Sequence, residues 1–174
     1  MSKKQLNAAQ GIEAACILFQ LNSKTVDILR LAENAGMPPL YWSGTARARF
    51  CQEWRAFVHA TVAAGLMQHA PNSVLAGYLK ETGSLLRAAA EPGEAALLAD
   101  SQAARDAFVD GPFAGYMSLF AQEQQARCPA LFSERLTHGS ASLDARTQAR
   151  LAAVMALVIS AIWDKLEEYE ILAE

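Results

Sequence analysis

Residues 50–66 read FCQEWRAFVHATVAAGL, and the spacing within them decides the fold class. Phe50, Trp54, Phe57 or Val58, Thr61 or Val62, and Leu66 recur every three or four positions. That is the period at which side chains return to one face of an α-helix, not the alternation of a half-buried strand. The alanines between them favour helix and let neighbouring helices approach closely. The segment is expected to form an amphipathic helix that begins near Thr45 with Ser43 as its cap, supplies the centre of the core, and leaves at His69 and Pro71.

Upstream, a first helix is expected over roughly Leu6 to Leu21. Asn22 or Ser23 ends it and caps a second carrying Val26, Ile28, Leu29, Leu31 and Ala32. Gly36 should stop that helix, because Pro38 and Pro39 lack backbone donors and restrict the residues before them. Tyr41-Trp42-Ser43-Gly44 then links to the central segment.

Downstream, Asn72 or Ser73 is placed to cap a fourth helix whose inward face runs from Val74 through Tyr78 to Ala89, with Gly83 weakening its middle. Pro92 suits the first turn of a further helix and Glu94 its positive end, with a division near Asp100-Ser101. Gly111-Pro112 is expected to interrupt the chain before Phe113, Tyr116, Met117 and Phe120 resume the helical period. A short turn covers Ala130 to Leu136. The last helix is expected from Leu143 to Leu172, capped by Ser140 or Ser142 and striped inward by Leu151, Val154, Met155, Val158, Ile162, Leu166 and Tyr169. The sum is an all-α, single-domain bundle of about six to eight helices over residues 1–174, without internal repeats.

Composition agrees with this reading. The 174 residues are 52% hydrophobic and 19% charged, which opposes wholesale disorder. The formal net charge is −3, from 15 basic and 18 acidic residues, and no basic stripe appears. A nucleic-acid binder draws much of its affinity from neutralising phosphates, so nucleic acid is not the expected partner. Cys16, Cys51 and Cys128 are odd in number and lack zinc-site spacing, which fits reduced thiols in the cytoplasm. Lys3 and Lys4 precede a short apolar run, Ala14 to Phe19, but Glu13 and Gln20 bracket it and no cleavage site follows. Leu151 to Trp163 is too short for a bilayer span of about 20 residues, so it reads as a buried helix and no membrane insertion is expected.

Chemistry-bearing patterns are sparse. His59 sits at the edge of the central stripe with Arg55 four residues before it, and reads as a structural histidine. His69 suits a helix carboxyl end, where a cation favours the dipole. His138 has no local metal-binding companion. Glu91, Glu94 and Asp100 resemble cap and surface residues, and Asp106 and Asp110 share a helix side as like charges. Glycine-rich phosphate loops and nucleophile elbows are missing, and Ser133, Ser140 and Ser142 lack an orienting acid. No cofactor, metal or catalytic group is assigned.

Contact surfaces are the stronger expectation. Tyr41 and Trp42 follow two prolines, with Arg47, Arg49 and Arg55 beyond them as a group suited to an acidic partner. At the carboxyl end Glu167, Glu168 and Tyr169 belong to an acidic, aromatic-anchored segment suited to a basic partner or a second copy of the chain. The small, alanine-rich character suggests a bacterial-type cytoplasmic interaction protein: an adaptor, regulator, effector chaperone or toxin-neutralising partner. A helical small-molecule-binding domain or enzyme is the alternative, through an interhelical pocket ringed by Tyr78, Tyr116, Trp54 or Trp163. A nucleic-acid regulator built on the first two helices is the third reading.

Overall fold

A computed structural model describes residues 2–90, 102–137 and 143–174. The expectations placed on Glu91, Pro92, Glu94, Asp100, Ser101, His138, Ser140 and Ser142 lie outside the described residues.

The described residues form an all-α bundle of eight helices. Helix α1 (Ala8–Leu21) begins at a capping box: Asn7 accepts from the Gln10 backbone while Gln10 reaches back to the Asn7 backbone. Helix α2 (Thr25–Ala35) ends at Gly36, whose φ of 78° is the left-handed geometry that glycine adopts without steric cost. A 3₁₀ turn (Pro39–Trp42) leads into α3 (Gly44–His69). Helices α4 (Asn72–Lys80) and α5 (Thr82–Ala89) follow, then α6 (residues 102–121), α7 (Cys128–Thr137) and α8 (Ala145–Glu167).

Helix α3 is the axis of the bundle. The sequence reading gave it one inward face, but every side chain from Glu53 to Leu66 is buried. Helices α1, α4, α6, α7 and α8 all pack against it, so it has no solvent side over that stretch. Small residues make this possible. A Cβ placed on Gly65 would lie 2.6 Å from Leu166 Cδ1 and 2.9 Å from Trp163 Cδ1, which shows how closely α8 approaches.

Other expectations change too: the short turn expected over Ala130 to Leu136 is the ten-residue α7, and neither Asn72 nor Ser73 caps α4, whose cap position is Pro71. The expected fourth helix divides at Glu81, giving α4 and α5, with Gly83 at the start of the second beneath Arg105. The chain does not restart at Gly111-Pro112. Instead Gln102–Phe108 runs through a π-helical turn, Val109–Phe113, into Ala114–Ala121 as one continuous α6. Proline removes an amide donor and crowds the preceding turn, and the wider π turn absorbs both defects. Lastly, α8 stops at Glu167. Tyr169–Ile171 (β2) then pairs in parallel with Lys4–Leu6 (β1), Leu6 opposite Ile171, and both of those side chains are buried. The cap of α8 is Asp144, which accepts from the Thr147 amide at 2.8 Å. No described helix is long and apolar enough to cross a membrane.

Candidate functional site

Three ionisable side chains on α3 tie surrounding elements to the axis: Glu53 reaches α6 and α7, while Arg55 and His59, four residues apart, share a helix side and both reach α5. Glu53 is 4% exposed; it accepts from the Tyr116 hydroxyl of α6 at 2.9 Å and from Arg135 Nε of α7 at 2.7 Å. The charge pair sits at the bundle edge, where Arg135 remains partly open to solvent. Burial, followed by the charge of Glu53 and the hydrogen bond to it, pushes the Tyr116 phenol far above its ordinary range.

Arg55, expected on a partner-facing basic group, is instead buried. Its guanidinium donates to the Ser23 carbonyl at 3.1 Å, the Thr25 hydroxyl at 2.6 Å and the Ala89 carbonyl at 3.1 Å. Ser23 and Thr25 bracket the start of α2, and Ala89 closes α5. A buried guanidinium offers five donors in a rigid fork, so it serves carbonyls that a helix end leaves unpaired.

His59 behaves as its sequence context indicated. It is 1% exposed, with Nδ1 2.8 Å from the Tyr78 hydroxyl and Nε2 3.0 Å from the Thr82 hydroxyl. Thr82 donates its own proton to the Leu79 carbonyl at 2.6 Å, so it accepts from Nε2–H. That leaves Nδ1 to accept from Tyr78, which fixes a neutral ring with its proton on Nε2. Phe19, Phe108 and Phe113 surround the ring. Burial in this apolar setting pushes the histidine down to about 3. Nearby, burial and then the charges of Glu81 and Glu13 push the Cys16 thiol up to about 11, and burial pushes Cys128 up to about 12. Thiols so placed are protonated at neutral pH and poorly nucleophilic. No group of metal ligands is found among the described residues.

Three of the four aromatics expected to ring a pocket are core residues. Trp54, Tyr78 and Tyr116 are fully buried, and the Trp54 indole donates to the Asn22 carbonyl at 3.0 Å. Trp163 is half-buried, donates to the Thr61 carbonyl at 2.9 Å, and borders a shallow groove beside α8.

The surface expected at Tyr41, Trp42 and Arg47 divides. Tyr41 is 6% exposed and packs edge-on against Phe50, with ring centroids 6.4 Å apart, so it belongs to the core. Burial raises its phenol, and the nearby charge of Arg49 offsets part of that rise. Trp42 is 50% exposed and Leu40, which sequence reasoning missed, is 60% exposed. No local signal finds Leu40, because its outward position follows from Tyr41 turning inward, which the fit against Phe50 decides. Arg47 is half-buried in the first turns of α3.

Glu167, Glu168 and Tyr169 do not form one helical face. Glu167 is exposed at the end of α8, Glu168 pairs with Lys165 at 2.8 Å, and half-buried Tyr169 lies in β2 with Lys165 Nζ 5.5 Å from its ring centroid. Trp163 and Leu166 pack at Gly65, which is on the order of 30 Å along α3 from Arg47 at a rise of about 1.5 Å per residue. The two expected contact groups are therefore separate surfaces. No protein-family model, curated protein or solved structure matches the chain.

Proposed function

We propose that this protein acts by stoichiometric binding to another protein, as an adaptor, regulator, effector chaperone or toxin-neutralising partner, with Trp42 and Leu40 as its apolar anchors. One observation carries this reading: the turn that displays them is pinned from within. Tyr41 is sunk against Phe50, its amide is bonded to the Pro38 carbonyl at 3.0 Å, and Pro38 and Pro39 restrict the backbone. An aromatic held in place loses little freedom on docking, and tryptophan is among the residues most enriched where binding energy concentrates. The partner is expected to offer an apolar pocket. A reducing, cytoplasmic setting is supported by Cys16, Cys51 and Cys128, all free thiols.

The test is quantitative capture from lysate of the source cells with the wild-type chain, Trp42→Ala and Leu40→Ala side by side. A single stoichiometric protein held by the wild type and reduced at least about tenfold by Trp42→Ala is the expected result, since anchor truncations cost about 2 kcal/mol or more. Equal recovery with all three chains would refute the assignment of this turn.

A further inference from the structure

Helix α8 turns Leu151, Met155, Ile162 and Leu166 into the core. Its opposite side is not the buried surface that its hydropathy suggests. Along that side run Arg146, Arg150, Ala153, Leu157, Ala161 and Asp164, followed by Glu168 just past the helix end, and every one of them is exposed. Leu157, at 69%, is the most exposed large apolar side chain among the described residues.

The positions of these residues are symmetric about Leu157 and their charges are opposite on its two sides. Ala153 and Ala161 lie four residues to either side, Arg150 and Asp164 seven, Arg146 and Glu168 eleven. Steps of three and four keep all of them on one helical stripe. The amino-terminal half of the stripe is basic and the carboxyl-terminal half acidic. Among the described residues Arg146, Arg150 and Asp164 take part in no ion pair.

We propose that α8 is a self-recognition helix, pairing antiparallel with α8 of a second copy about a two-fold axis at Leu157. In that arrangement Leu157 meets its own counterpart, and Ala153 faces Ala161 of the other chain, small enough for close helix approach. Arg150 of each chain meets Asp164 of the other, about 10 Å from the axis on either side. Arg146 faces Glu168 at the rim, where Glu168 already has the exposed Lys165 as a competitor, so that outer pair contributes less. A parallel pairing would set arginine against arginine and carboxylate against carboxylate. The acidic carboxyl end therefore disfavours one orientation and specifies the other. An isologous contact of this kind requires one self-complementary patch, which the opposite charges of the two halves supply. Shallow grooves of about 580 Å³ and 440 Å³ flank the stripe, towards α2 and α7 respectively. Val154 and Leu31 border the first and Ala156 the second, and they extend the apolar contact area beside the stripe. This pairing is independent of the Trp42 turn.

Sedimentation velocity and equilibrium on the full chain, from about 1 μM to about 1 mM, test it across the range of ordinary dimer affinities. Wild type and Trp42→Ala are expected to show the same monomer–dimer equilibrium. Leu157→Glu is expected to leave monomer only. Asp164→Arg, which sets arginine against Arg150 of the other chain, should weaken the dimer roughly tenfold or more. The double swap Arg150→Asp with Asp164→Arg should return it to within about threefold of wild type, because complementarity is restored. Circular dichroism checks that each exposed-site variant stays folded. A wild type that is monomeric throughout, a dimer indifferent to Leu157→Glu, or a double swap as weak as the single one would overturn the proposal.

Discussion

His59 concentrates the residue-level logic of this protein. An imidazole on a mostly apolar helix is held neutral by burial and by a hydroxyl donor on one nitrogen and a hydroxyl acceptor on the other. The unfolded ring titrates at about 6.5, whereas the folded ring resists protonation until about pH 3. Below pH 6.5 the unfolded state therefore binds a proton that the folded state excludes. The stability that His59 contributes is full above that value and declines as pH falls towards 3. Between pH 7 and pH 5 the loss is on the order of 2 kcal/mol. Urea unfolding of wild type and His59→Gln at both pH values checks this, since the other histidines are common to both chains. The wild type should lose about 2 kcal/mol more than the variant on acidification; equal losses would mean that His59 is solvated. Sequence context showed that His59 is structural, because it borders the apolar stripe. It could not show that Arg55 is buried, because the acceptors at Ser23 and Ala89 are more than thirty residues away along the chain.

At the level of elements, period and breakers in the sequence located α1, α2 and α3 well, since Gly36, the Pro38-Pro39 pair and Pro71 act through local backbone chemistry. Where tertiary packing overrides local rules, the reading failed. Pro112 did not end a helix, because a π turn accommodates it. The final helix did not reach Leu172, because β1 offered Tyr169–Ile171 a ladder and Ile171 a buried seat. The burial of α3 on every side was also illegible, since it depends on how many helices surround it. Gly65 is the position where that crowding is most exposed to test. Gly65→Ala should gain about 1 kcal/mol of helix propensity. The new methyl, however, meets Leu166 and the Trp163 ring, and the latter is fixed by its bond to the Thr61 carbonyl. Overpacking of this kind costs about 1–3 kcal/mol, so a net loss of stability is expected. Chemical denaturation reads it directly, and a stabilised variant would show that α8 yields.

For the molecule as a whole, polar chemistry and contact surface are spatially segregated. Glu53, Arg55 and His59 are spent inside, joining α3 to the helices around it. Several large apolar side chains stay outside, Leu21 and Val26 among them; the two proposals rest on Leu40 and Trp42 in the 3₁₀ turn and on Leu157 of α8. The sequence named Trp42 because two prolines precede an aromatic pair. It could not separate Trp42 from Tyr41, since which ring turns inward is set by the distant fit against Phe50. The most direct test of the recognition account uses the three tryptophan indole signals in a ¹H–¹⁵N NMR titration with the captured partner. Trp54 and Trp163 donate to internal carbonyls, so the account predicts that the Trp42 indole signal moves on binding while those two hold still. An unmoved Trp42 signal in a complex that demonstrably forms would contradict it.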